Sequence, residues 1–225
     1  MIAARLMSRV VACIRPVMPG LSKVISALEQ RRRVRTFLSQ GFRRVNLCCG
    51  LQRVPGYIGL DVLPRVDLEI DLARENLPFG DCSMETIVWM SAINYFSYRR
   101  AQELVHEIYR VLHVDGVCRV GVQDMRWLAE RYVKEDTEFF FQKLPSGQDR
   151  FEGKTIGDKF AAWFYGYAVG GNHCRYAYDF DSLAHLFHTA GFTRIERKPF
   201  GESRIPDILF LDNRPDQMFY LEAVK

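Results

Sequence analysis

Apolar residues fall along this chain in two alternating rhythms. Short apolar runs bounded by glycine, proline or acidic residues occur at 45–49, 57–61, 66–70, 86–90, 117–122, 193–199 and 219–224. Each predicts a strand. Elsewhere apolar positions return every three or four residues. Leu21, Val24, Ile25 and Leu28 do so within 21–40, and Ala101, Leu104, Val105, Ile108 and Leu112 within 98–112. These stretches, with 179–190, predict amphipathic helices, and Asp115-Gly116 and Gly191 are the expected stops. Strands alternating with helices predict an α/β fold: a mostly parallel seven-stranded sheet with helices on both faces.

Two segments stand apart from that alternation. Residues 1–44 read as a basic N-terminal helical extension to a domain spanning 45–225. Within 2–15, Leu6, Val10, Val11, Cys13 and Ile14 gather on one side of a helical wheel and Arg5, Arg9 and Arg15 on the other. The second segment is an insert at 126–172, weak in periodicity and rich in rings, including Phe139, Phe140, Phe141, Trp163, Phe164, Tyr165 and Tyr167. Clustered rings ordinarily form a core; the alternative is that Trp163, Tyr165 and Tyr167 present faces to a sugar or acyl group.

Charge sharpens the division. The whole chain carries +4, but 1–44 holds ten basic residues against the single acid Glu29, leaving −5 on the rest. An anionic partner is therefore expected at the extension, and the amphipathic helix at 2–15 suits the surface of an anionic membrane. Nucleic acid is disfavoured: Arg31-Arg32-Arg33 is one short run on an otherwise acidic body. Arginines interrupt each candidate signal-peptide core, and no apolar stretch approaches the length of a membrane span. The six cysteines show no C-x-x-C spacing, so neither a zinc site nor a disulfide framework is expected. A reducing, cytoplasmic location with peripheral attachment to the inner membrane face fits.

The stretch VNLCCGLQRVPGYIGLD (45–61) carries the chemistry. It reads as strand, glycine turn, second strand and terminal acid. A carboxylate at the tip of the second strand suits the two hydroxyls of an adenosine ribose. Gly50 allows backbone to approach a ligand where a Cβ would intrude. The single glycine turn does not match G-x-G-x-x-G, which argues against a nicotinamide dehydrogenase.

Further residues follow in order: Asp71-Leu72, Leu77-Pro78-Phe79, Asp81, Ser83, Glu85, Ile87, and Glu107-Ile108-Tyr109-Arg110-Val111-Leu112 with Gly116. Together with Asn46-Leu47-Cys48-Cys49-Gly50, Pro55-Gly56-Tyr57-Ile58 and Asp61, this series resembles the class I S-adenosylmethionine (SAM)-dependent methyltransferases. The resemblance is close over 43–125 and looser to the C-terminus. It implies a Rossmann-like methyltransferase fold, SAM as cofactor and S-adenosylhomocysteine (SAH) as product, with no metal. By the same likeness Asp61 takes the ribose hydroxyls and Asp71-Leu72 faces the adenine. Asn46, Cys48 and Gly50 lie along the methionine part, and Ser91 stands at the next strand end. Cys48 departs from the family, which usually has glycine there. SAINYF (91–96) replaces a polar cluster in a region that often faces substrate.

The endings at 191–203 and 211–225 resemble bacterial enzymes of surface-polysaccharide or glycolipid assembly. That likeness implies O-methylation of a sugar, glycan or glycolipid acceptor. A small-metabolite acceptor, or a non-catalytic SAM-binding protein, is the alternative. A hydroxyl nucleophile needs a base. His173, in the loop GGNHCRYAYD, and Asp124, at a strand end, are the two candidates.

Overall fold

The computed structural model describes residues 19–225 apart from 167, 170 and 171. The helix expected over 2–15 lies outside the described residues. The second expected helix is present as α1 (Pro19–Ser39).

Seven strands form one sheet: β1 (Arg44–Leu47), β2 (Tyr57–Asp61), β3 (Leu68–Glu69), β4 (Met84–Met90), β5 (Leu112–Gln123), β8 (Arg194–Lys198) and β9 (Met218–Val224). Their spatial order is β3-β2-β1-β4-β5-β9-β8. The pairs from β3 through β5 are parallel, while β9 runs antiparallel to both β5 and β8. The sheet is thus mixed, with the parallel part holding the order reversal between β1 and β4. A separate two-stranded hairpin pairs β6 (Ala168–Val169) with β7 (Asn172–His173).

Helix α2 (Tyr98–Val111) starts at the Ser97 cap, whose hydroxyl accepts from the Arg100 N–H, and α6 (Phe180–Thr189) starts in a capping box of Asp179 and Ser182. The 98–112 periodicity overshoots by one residue. Leu112 already opens β5, and the turn at Asp115, with φ of 65°, lies inside that twelve-residue strand as an irregularity.

Side-chain alternation separates the two faces. On one, Leu47, Leu60, Ile87, Trp89, Val120 and Leu221 meet Val34 of α1, Leu104 and Ile108 of α2, and Leu186 and Phe187 of α6. On the other, Val88, Met90, Met218 and Tyr220 meet Ile205, Ile208 and Leu211. These last belong to the connection 199–217, which holds a 3-10 turn (Ile208–Phe210) and no α-helix. Helices on both faces are therefore not what the described residues form: α1, α2 and α6 share one face and a strap covers the other. The reason is length. Only nine residues, 48–56, join parallel β1 to β2, fewer than a crossover helix needs.

The strap is held by an ion cluster. Arg119, fully buried on β5, reaches Asp212 at 2.5 Å and 3.2 Å and donates to the carbonyls of Pro199 and Glu202. Glu222 lies 3.8 Å away and the Tyr220 ring 4.8 Å.

The aromatic insert leaves the sheet at Asp124 and returns at Tyr178, where the two residues form a bridge. It contains α3 (Met125–Val133), α4 (Thr137–Phe140), α5 (Ile156–Tyr165) and the hairpin. Leu128, Phe139, Phe140, Phe151 and Trp163 make its own small core, so most of its rings are packing, while Tyr165 stays exposed.

Candidate functional site

The parallel strands point their carboxyl ends at one cavity of about 380 Å³, within the usual range for small-molecule sites. It lies where strand order reverses, the place open α/β sheets bind ligands. Asn46, Cys48 and Gly50 come from the end of β1, Asp61 from β2, Asp71 and Leu72 from beyond β3, and Ser91 from β4. All seven line this cavity.

Asp61 is the best organised of them. It is buried, its Oδ2 accepts the Gly50 N–H at 2.8 Å, and its Oδ1 accepts the Leu63 N–H at 2.9 Å. Each carboxylate oxygen retains a further lone pair. Gly50 sits at φ 57°, and a Cβ built there would meet nothing within 4 Å, projecting into open space. The turn thus presents bare backbone beside an ionisable acceptor.

Backbone strain gathers at the same rim. Cys48 has φ of 51° and Ser91 φ of 54°, a left-handed conformation that costs a non-glycine residue about 1–2 kcal/mol. Burial, and then Asp61, push the Cys48 thiol well above its ordinary range; the same causes push the Cys49 thiol up to about 11. Both stay protonated at neutral pH. Ser91 Oγ lies 3.0 Å from Asn213 Oδ1, tying β4 to the strap. Asp71 is half-committed to its own loop: Oδ1 accepts the Ala73 N–H at 3.0 Å and Oδ2 lies 3.5 Å from Arg74.

The two expected bases lie elsewhere. Asp124 is the N-cap of α3, accepting from the Arg126 and Trp127 N–H groups through Oδ1, while Oδ2 takes the Arg197 guanidinium at 2.8 Å. Both oxygens are engaged and a cation holds the charge, so the geometry assigns Asp124 to structure. Its sequence, an acid directly before a helix, was the available signal. His173 is exposed on the hairpin and lines neither this cavity nor the two beside it, although Cys174, the next residue, lines one of them.

Sequence reasoning missed Tyr95, Phe96, Arg100, Arg175, Asn213 and Arg214, which also line the cavity. Tyr95 and Phe96 belong to the SAINYF departure. Arg175 and Asn213-Arg214 arrive from distant loops that only the folded chain brings in. Neither Arg175 nor Arg214 has an ion-pair partner among the described residues.

No family model matches this sequence, and no curated protein matches it. Solved structures do. A SAM-dependent methyltransferase from Thermotoga maritima is similar at 18% identity over 88% of this chain and 89% of its own, with a TM-score of 0.47. One from Archaeoglobus fulgidus is similar at 10% identity over 88% and 94%, also at 0.47. A Haloferax volcanii methyltransferase in complex with the Trm112 activator is similar at 15% identity over 87% and 90%, at 0.45.

Proposed function

We propose that this protein is a SAM-dependent methyltransferase acting on a hydroxyl of a sugar, glycan or glycolipid. The observation that carries the cofactor is the Asp61 carboxylate, fixed by two backbone amides at the carboxyl end of β2 and facing the open Gly50 turn. The donor set fits. Asp61 would accept the ribose hydroxyls, the apolar walls of Ile70, Leu72 and Phe96 would flank the adenine, and Arg175 and Arg214 offer positive charge to the methionine carboxylate.

When bound, SAM would supply an electrophilic methyl group on a positively charged sulfur, the chemistry needed to methylate a hydroxyl that gives up its proton to base or water, with SAH as the product. The chain's own contribution is alignment and exclusion of water. The His173 side chain makes no hydrogen bond or ion pair among the described residues, which leaves it the uncommitted one of the two expected bases. A SAM-binding role without turnover is the second reading, favoured because neither expected base lines the cavities. The glycan acceptor rests on the sequence resemblance. A membrane-resident acceptor would suit the basic face of 2–15.

Mass spectrometry of the purified protein should detect co-purified SAM or SAH, and calorimetry should give a saturable SAH isotherm. Absence of both would remove the proposal. Sedimentation with anionic vesicles at low salt, lost on replacing Arg5, Arg9 and Arg15 with Glu, tests the membrane component.

A further inference from the structure

Beside the cofactor cavity lies a second one of about 150 Å³. The two share Tyr95 and Arg214 as lining residues, so they adjoin directly. A third, of about 250 Å³, continues from it through Gln123, Trp163 and Arg214. We infer that the second cavity is an acceptor subsite built for a ring bearing several hydroxyl groups. The inference rests on reading the first cavity as the SAM site and names what would stand next to it.

Two carboxamides define the chemistry. Asn94 is only 7% exposed; its Nδ2 donates to the Cys174 sulfur at 2.9 Å, and its Oδ1 is buried with no partner among the described residues. Gln123, the last residue of β5, likewise has an unpartnered buried Oε1. Both side chains line the second cavity. A buried carbonyl oxygen carries a desolvation penalty until a donor reaches it. Two such oxygens, from different elements, call for a ligand with at least two O–H or N–H donors.

The remaining walls choose between those donors. Trp163, Tyr165 and Tyr176 line the same space, and aromatic surfaces suit the C–H faces of a saturated ring as well as a cation. A cation is disfavoured by charge: no carboxylate stands among the residues lining this cavity, and Arg214 sits at the junction without an ion-pair partner. An ammonium would meet a guanidinium and find no counter-charge. A hydroxylated ring meets neither objection. The cavity is small enough for one ring, with the third cavity open to a neighbouring unit.

The test uses the full chain. Saturation-transfer NMR is recorded with a panel of methyl hexopyranosides and with benzylamine, each with and without SAH, alongside calorimetry of SAH alone. Glycosides should receive saturation and benzylamine should not. Gln123→Met and Asn94→Leu, two replacements of similar size on separate elements, should each weaken glycoside binding at least tenfold while leaving SAH affinity unchanged, since neither residue lines the cofactor cavity. The inference is overturned if SAH binds and no glycoside does, if benzylamine is the better ligand, or if whichever variant folds binds glycosides as the parent does. Glycoside binding without SAH binding would uphold the subsite and remove the cofactor reading instead.

Discussion

Replacing Asp61 with alanine separates binding from scaffolding, because the structure gives its carboxylate both roles. The change removes the acceptor for the Gly50 and Leu63 amides. Gly50 borders the open cavity, where water can take over part of the lost bond, so about 1–2 kcal/mol of stability should go. In a protein of this size that lowers the melting temperature by about 2–8 °C. SAH binding should suffer more specifically. Hydrogen bonds to a charged acceptor contribute about 1.5–3 kcal/mol each, and two ribose hydroxyls would lose them together. Water again recovers a share, so a loss of tenfold to a few hundredfold in affinity is expected. Asp67→Ala is the matched control: its Oδ2 accepts the Gly59 N–H at 2.8 Å, and it does not line the cavity. It should cost stability and spare SAH affinity. Isothermal calorimetry beside thermal unfolding reads both quantities. Near-parental affinity in Asp61→Ala, or equal losses in the two variants, would refute the ribose assignment.

Cys48→Gly should raise stability slightly, because relief of about 1–2 kcal/mol of left-handed strain is opposed by about 0.5–1 kcal/mol of added chain entropy; a fall in melting temperature, or lost SAH binding, would show that the turn depends on the thiol. Arg119→Met should destabilise the fold by about 3–5 kcal/mol, since it strands the buried Asp212, and should weaken SAH binding by loosening Asn213 and Arg214; denaturant unfolding that matches the parent would contradict the clamp. Iodoacetamide at pH 8 should modify exposed Cys82 and spare Cys49, whose thiol is raised to about 11, so that labelling of Cys49 climbs only as the pH approaches that value. Equal rates at pH 8, followed by peptide mapping, would refute the assigned environment.

Strand positions were the most legible part of the sequence. The runs at 57–61, 86–90 and 219–224 lie within a residue or two of β2, β4 and β9, because each is buried on both faces and leaves a continuous apolar signal. The residues placed at strand ends from the resemblance do converge on one cavity. What failed was inference from alternation to layering: the α/β rhythm implied helices on both faces, yet the segments after β1 and β2 are too short to hold crossover helices, and the longer one after β3 forms none. The strap at 199–217 had no periodicity to announce it, and its anchor, a charged Arg119 inside an apolar strand, looks like an exception until Asp212 is placed beside it. The acceptor role of Asn94 and Gln123 was invisible for a related reason. Their meaning lies in hydrogen bonds they do not make, which a sequence does not record.

The helix-free hop from β1 to β2 bears on which nucleotides can dwell at this site. Where a helix follows the first strand of such a sheet, its N-terminus brings several free amides and about half a unit of positive charge toward the ligand, an arrangement suited to pyrophosphate. Residues 48–56 bring no helix end to the cavity. A doubly charged diphosphate bridge would find no helix amides there and would have to rely on guanidinium side chains such as Arg175 and Arg214, whereas an adenosine carrying a sulfonium has no phosphate to neutralise and would not face the opposing field of a helix dipole. The brevity of one loop thus leaves any choice between phosphate-bearing nucleotides and a phosphate-free adenosine to the cavity's side chains and not to a helix dipole.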